Sequence, residues 1–91
     1  MLFHITHKHT AETCPADDPK KVRETWGKVW SNADGMELKS AYVNAPAHTI
    51  YMVIETDSVK KIEDFLYPVF KIGTADIAPV VDARETTKKF S

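Results

Sequence analysis

The sequence predicts a small α+β domain whose elements follow the order strand, helix, strand, strand, helix, strand. Four segments show the two-residue periodicity of strands, and two segments repeat their apolar residues every three or four positions, as amphipathic helices do. The chain has 91 residues, which is the length of one domain. Residues 1–91 are therefore predicted to form a single unit.

The first strand is predicted from Leu2 to His9, where successive side chains point to opposite faces. One face carries two apolar residues and two histidines: Phe3, Ile5, His7 and His9. The other face carries Leu2, His4, Thr6 and Lys8.

The first helix is predicted to begin at Pro19, because Asp17 and Asp18 offer an acidic N-cap and proline is tolerated at the first helical position. Its apolar stripe repeats at helical spacing: Val22, Trp26, Val29 and Trp30. Gly35 follows as a residue suited to a helix C-terminus, so the helix is expected to end near Ser31.

The second half of the chain repeats this pattern. Its strands are predicted over 36–44, 48–55 and 72–81. In the first of these, alternation predicts one face made of Met36, Leu38, Ser40 and Tyr42. A short helix is predicted from the stripe Val59, Ile62, Phe65 and Leu66. The polar residues 84–91 are predicted as a loosely held tail, with Phe90 free to contact a partner.

This element order most often builds a four-stranded antiparallel sheet in the order 4-1-3-2 with both helices on one face, the ferredoxin-like arrangement. Strands one and three carry apolar residues on both faces, so the face away from the helices also needs a cover. A second copy of the chain is the predicted cover, which makes a homodimer or a higher oligomer the expected state.

The composition excludes several classes of partner. Hydrophobic residues make up 43% of the chain and charged residues 27%, with a net charge of −1, so neither nucleic acid nor an anionic membrane surface is expected to bind. Apolar runs are too short to span a bilayer, and the first residues lack a secretory signal. The single cysteine, Cys14, cannot form an internal disulfide, which agrees with the predicted cytoplasmic location.

The opening residues Met1-Leu2-Phe3-His4 resemble those of muconolactone isomerases, and the element order of the whole chain is similar to that of the dimeric α+β barrel superfamily. This resemblance implies a small-molecule site between the sheet and the helices, and two subunits that pair their sheets. The superfamily includes isomerases, antibiotic-biosynthesis monooxygenases and heme-degrading monooxygenases. The last group places an asparagine on strand one where this chain is rich in histidine, so its chemistry is not carried over.

The predicted topology brings three histidines together, because the end of strand one lies beside the start of an antiparallel strand three. They are His7, His9 and His48, and the loop that contains Cys14 follows at the same end. Neutral imidazoles and a thiolate bind zinc, iron, copper or nickel, so these four residues are the candidate metal ligands. His7 and His48 are also the candidate catalytic acid or base groups.

Four further residues are candidates for contact with a small-molecule ligand: Trp26, Trp30, Tyr42 and Asn44. Each candidate also has a plainer explanation. Histidines at strand ends are often only solvated polar residues, and two tryptophans at helical spacing suit a helix packed on a sheet.

Three functions stay open from the sequence. The first is a homo-oligomeric small-molecule-binding protein, in the form of a metal-dependent enzyme. The second is a metal-free isomerase or monooxygenase that uses a histidine as general base. The third is a non-catalytic binding or assembly module.

Overall fold

The computed structural model describes residues 1–32 and 35–88, and the predicted strands lie close to where the two-residue periodicity places them. The strands are β1 (Leu2–His9), β2 (Glu37–Asn44), β3 (Thr49–Glu55) and β4 (Gly73–Val80). The helices are α1 (Pro19–Glu24), α2 (Trp26–Trp30), α3 (Val59–Leu66) and α4 (Ala83–Lys88). Two short 3₁₀ turns cover Ala45–Ala47 and Tyr67–Val69.

The sheet order is β2-β3-β1-β4 with antiparallel pairing throughout, which confirms the predicted order of strands. The β1–β3 register pairs Ile5 with Met52 and His7 with Ile50. Residues that pair directly across two strands share a face of the sheet. This register therefore places His7 among the apolar residues of β3, on the side that the helices cover, and His9 shares that face of β1.

The core lies between that face of the sheet and the helices. Ile5, Met52 and Ile54 have no exposed surface, and the same holds for Ile62 and Leu66 of α3. Burying such a side chain stabilises a fold by roughly 1.5–3 kcal/mol, so this layer supplies most of the driving force. The predicted inward face of β1 is confirmed, since Phe3, Ile5, His7 and His9 are all buried.

The first helix differs from the prediction, because it is two short helices joined at Thr25. Thr25 has φ −108° and ψ −96°, outside the helical region, and its hydroxyl donates to the carbonyl of Lys21 at 2.7 Å. A threonine hydroxyl that bonds to an i−4 carbonyl competes with the helix and bends it. Trp26 is buried, but Trp30 remains 42% exposed.

The predicted face of β2 is wrong in part, because the pairing with β3 contains a bulge between Leu38 and Ser40. A bulge adds one residue to a strand, and the alternation of faces then changes beyond it. Tyr42 consequently pairs with Tyr51, on the face away from the helices, and is 72% exposed. Leu38 instead pairs with Ile54 on the helix side.

Residues 84–88 of the predicted tail lie in α4 (Ala83–Lys88), a helix that buries none of its residues. Asp82 begins this helix: its carboxylate accepts hydrogen bonds from the backbone N–H of Arg84 at 2.9 Å and from the Arg84 guanidinium at 2.7 Å. These bonds lower the pKa of Asp82 to about 2. Phe90 lies outside the described residues.

None of the helices described within residues 1–32 and 35–88 is long and apolar enough to cross a membrane.

Candidate metal centre and cavity

The ends of two adjacent strands hold His9 and His48 beside each other. The backbone N–H of His9 donates to the carbonyl oxygen of His48 at 3.1 Å, and the ring centroids of the two histidines lie 5.2 Å apart. A 3₁₀ turn leads into His48, and the side chain of Asn44 begins this turn by accepting from the N–H of Ala47 at 3.4 Å. The convergence of these two histidines follows directly from the antiparallel β1–β3 pairing.

His48 has a left-handed backbone conformation, with φ 50° and ψ 42°. This conformation places its N–H on the carbonyl of Ala45 at 3.0 Å and turns the chain into β3. Left-handed backbone costs an L-residue roughly 1–2 kcal/mol, although histidine tolerates it better than most. Strained residues cluster at functional sites, so this conformation singles out His48 as a position of interest.

Cys14 completes a group of three possible metal ligands with these histidines. One donor atom from each of His9, Cys14 and His48 lies within 4.8 Å of the others. The donors around a tetrahedral zinc ion are about 3.3–3.6 Å apart for ordinary bond lengths, so the donor atoms need to approach one another by at most about 1.5 Å. Cys14 is in the loop between β1 and α1, which is the part of the site best able to make that adjustment.

The chemical state of His9 suits a metal ligand. Burial lowers the pKa of His9, and the positive charge that His7 and His48 carry when protonated lowers it further. A ligating imidazole must be neutral, so a lowered pKa keeps His9 ready to bind at neutral pH. Its Nδ1 atom is also buried without a hydrogen-bond partner in the described chain, which is a cost unless something binds there.

His7 lies next to this group but is held in another way. Its Nε2 donates to the carbonyl oxygen of Val69 at 3.0 Å, because a carbonyl can only accept. The neutral ring is therefore fixed as the Nε2–H tautomer. Its Nδ1 is buried with no partner among the described residues. Burial lowers the pKa of His7, although the bond to Val69 opposes this change.

A cavity of about 280 Å³ opens beside the group of His9, Cys14 and His48, and these three residues line it. The rest of the wall is mainly apolar and comes from the loop, the first two helices, strands β2 and β3 and the 3₁₀ turn between these strands: Pro15, Ala16, Val22, Trp26, Val43, Ala45 and Ile50. The cavity therefore lies between the sheet and the helices, next to the candidate metal ligands.

The structure separates the four predicted ligand-contacting residues. Trp26 lines the cavity, and the ring of Trp30 packs against the ring of Trp26, with the two ring centroids 5.4 Å apart. Tyr42 lies on the opposite face of the sheet, and Asn44 forms the start of the 3₁₀ turn. Their roles in binding stay predictions, with Trp26 the best placed of the four.

Sequence reasoning missed the apolar part of the wall, above all Val22, Val43 and Ile50. Val43 lies in the second predicted strand, and Val22 in the apolar stripe of the first predicted helix. Both remain at least partly exposed, at 65% for Val43 and 36% for Val22. Apolar residues at the ends of elements next to a histidine cluster were the available signal.

The fold and this site define a small ferredoxin-like α+β protein with a cavity between its sheet and its helices. The chain belongs to the family described as "Domain of unknown function (DUF3303)", whose model matches residues 1–91. Among curated proteins, none is significantly similar to this chain.

The crystal structure of muconolactone isomerase is similar to this fold, with a TM-score of 0.59 and 21% sequence identity over 90% of each chain. This similarity confirms the predicted ferredoxin-like fold.

Proposed function

We propose that this chain is a homo-oligomeric small-molecule-binding protein that holds a transition metal ion with His9, Cys14 and His48. The observation that carries the proposal is the meeting of three donor atoms, from three separate stretches of sequence, within 4.8 Å of one another. The lowered pKa of His9 and its unpartnered Nδ1 support it.

Two imidazoles and a thiolate favour zinc or copper among the four metals predicted from the sequence. Three protein ligands leave a fourth coordination position for water or for a bound molecule, which is the arrangement of catalytic zinc sites. A metal in such a position polarises a carbonyl oxygen or lowers the pKa of its bound water. Cys14 can bind a metal only while its sulfur is not oxidised, and a reducing compartment such as the predicted cytoplasmic location favours that state.

Metal analysis of the purified protein tests the proposal. After loading with zinc and dialysis, the wild-type chain is expected to retain one equivalent of zinc, whereas the His9→Ala, Cys14→Ser and His48→Ala variants lose it. His4→Ala is the matched control, because His4 is on the same strand as His9 but faces the other side of the sheet. Equal zinc content in all five proteins would refute the proposal.

The second candidate is a metal-free isomerase or monooxygenase in which a cavity histidine is the general base. The observation that favours it is the same lowered pKa of His9, since a neutral imidazole beside an apolar cavity is able to accept a proton. His7 and His48 remain the candidate catalytic groups predicted from the sequence. Activity or ligand binding that survives complete chelation would favour this candidate over the metal site.

The outer face of the sheet supports the proposed self-association. It carries partly exposed residues of the two central strands, namely Leu2, His4, Thr6, Tyr51 and Val53. A charge placed there should block pairing of two sheets, so Val53→Asp is expected to sediment as a monomer and the wild-type chain as a dimer. Val59→Asp, on the exposed start of α3, is the control that should stay dimeric.

An assembly module without a ligand site is the third candidate. A cavity lined by His9 and His48 counts against it, because a protein that only assembles does not need an open apolar cavity beside polar ligands.

A further inference from the structure

The wall of the cavity determines what kind of molecule can enter it. Apart from His9, Cys14 and His48, the described residues that line it are apolar. Trp26 contributes the largest ring, and Val22 of α1 and Val43 of β2 line the cavity while remaining partly exposed. An apolar body placed here removes apolar surface from water on both partners.

The cavity offers few hydrogen-bonding partners to the polar part of a bound molecule. A neutral polar group loses its hydrogen bonds to water when it enters an apolar cavity, and this loss costs roughly 1–3 kcal/mol unless a partner replaces them; a charged group loses more. The side-chain donors and acceptors on this wall belong to the three candidate ligands and to Trp26, whose indole Nε1–H is buried with no hydrogen-bond partner among the described residues. A metal ion held by them offers the polar group a fourth coordination position.

The volume of the cavity limits the size of the apolar part of a bound molecule. Its volume of about 280 Å³ is close to twice that of the engineered apolar cavity of about 150 Å³ that binds benzene. A single six-membered ring with one attached donor group fits this space, whereas a nucleotide or a sugar has too many polar atoms for this wall.

We infer that the cavity binds small aromatic or alicyclic molecules that carry one metal-binding donor atom, with the donor on the ion and the ring against Trp26, Val22 and Val43. The inference rests on the proposed metal site, and it adds the class of molecule that the site selects. A donor without an apolar body is bound weakly, and an apolar body without a donor gains only the burial of its ring.

Cobalt-loaded protein titrated with imidazole and with 4-phenylimidazole tests the inference, because both offer one nitrogen donor and differ by one ring. Binding is followed by the change in the visible cobalt absorption. The phenyl ring is expected to tighten binding at least tenfold, as burial of a ring of that size predicts. Val22→Gln places an amide at the cavity, so it should weaken binding of 4-phenylimidazole much more than binding of imidazole and thereby remove most of this preference.

Val59→Gln is the matched control, since it changes an exposed valine of α3 in the same way and should retain the full preference. Equal affinities for the two probes on the cobalt-loaded wild-type protein would overturn the inference and leave the metal site standing. Failure of cobalt to bind would overturn the metal site, and the inference with it. A preference that persists in Val22→Gln would also contradict the proposed placement of the ring.

Discussion

Replacing His48 by glycine should stabilise the metal-free protein relative to replacing it by alanine. Both substitutions remove the imidazole, but alanine keeps a Cβ in a backbone conformation of φ 50°, which costs an L-residue roughly 1–2 kcal/mol. Glycine adopts this conformation without that cost, and part of the gain is offset by its greater entropy in the unfolded chain. The net difference expected between His48→Gly and His48→Ala is about 1 kcal/mol.

This difference is measurable by thermal unfolding in the presence of a chelator. For a chain of this size, 1 kcal/mol corresponds to roughly 4–8 °C in Tm. Adding zinc distinguishes the effect of backbone strain from the loss of a metal ligand, because only a protein that binds zinc is stabilised by it. A ligand at a hundred times its Kd stabilises the folded state by about 2.7 kcal/mol. The wild-type protein should show that increase, and both His48 variants should show little of it.

The same pair of substitutions at His4 is the control. His4 is in the middle of β1, where backbone is extended and glycine is worse than alanine by roughly 0.5–1 kcal/mol. His4→Gly should therefore be less stable than His4→Ala, the opposite order to that at His48, and both should respond to zinc. If His48→Gly is no more stable than His48→Ala, the reasoning about backbone strain is wrong; if it keeps the full response to zinc, His48 is not a ligand.

Two further predictions concern the packing around the site. A Cβ on Gly73 would overlap the carbonyl oxygen of Lys8 and come within 2.9 Å of His7 Cε1. Gly73→Ala should therefore lower the free energy of unfolding, measured with a denaturant, by roughly 1–3 kcal/mol. Gly27→Ala, at an exposed position of α2, is the control and should lower it by less than about 1 kcal/mol. Comparable losses from both would refute the argument from contact. The stability of the metal-free protein should also depend on pH, because the pKa of His7 is lowered in the folded state from its ordinary value of 6.5. As the pH falls below 6.5, the unfolded chain binds more protons than the folded chain. The contribution of His7 to the free energy of unfolding is therefore full above pH 6.5 and is lost as the pH falls toward the folded pKa. A His7→Gln variant whose unfolding midpoint depends on pH as steeply as that of the wild-type chain, between about pH 8 and about pH 5, would contradict this.

Periodicity predicted the strands well, because a two-residue alternation is repeated over a whole strand and one irregular residue rarely hides it. The order of strands then brought the ends of β1 and β3 together, and with them His9 and His48. This part of the site was predictable because it depends only on topology. The break at Thr25 and the bulge after Leu38 were not, since each depends on a single hydrogen bond or on one added residue that leaves no trace in the pattern.

The detailed arrangement of the histidines also lay beyond the sequence. His7 and His9 are equivalent by alternation, and both were candidate ligands. The structure distinguishes them, because the carbonyl oxygen of Val69 accepts a hydrogen bond from Nε2 of His7, whereas a ring nitrogen of His9 lies near the sulfur of Cys14. Val69 belongs to a 3₁₀ turn more than sixty residues away from His7 along the chain, so no local sequence pattern predicts this hydrogen bond.

Two features of the edge strands affect how copies of this chain can meet. β2 is irregular between Leu38 and Ser40, and β4 contains Pro79, which has no N–H to offer a neighbouring strand. Bulges and prolines interrupt the row of hydrogen-bonding groups that an added strand needs, so neither edge is a good template for sheet extension. Growth of one continuous sheet through many copies is thereby disfavoured, which agrees with the proposed self-association through the outer face of the sheet.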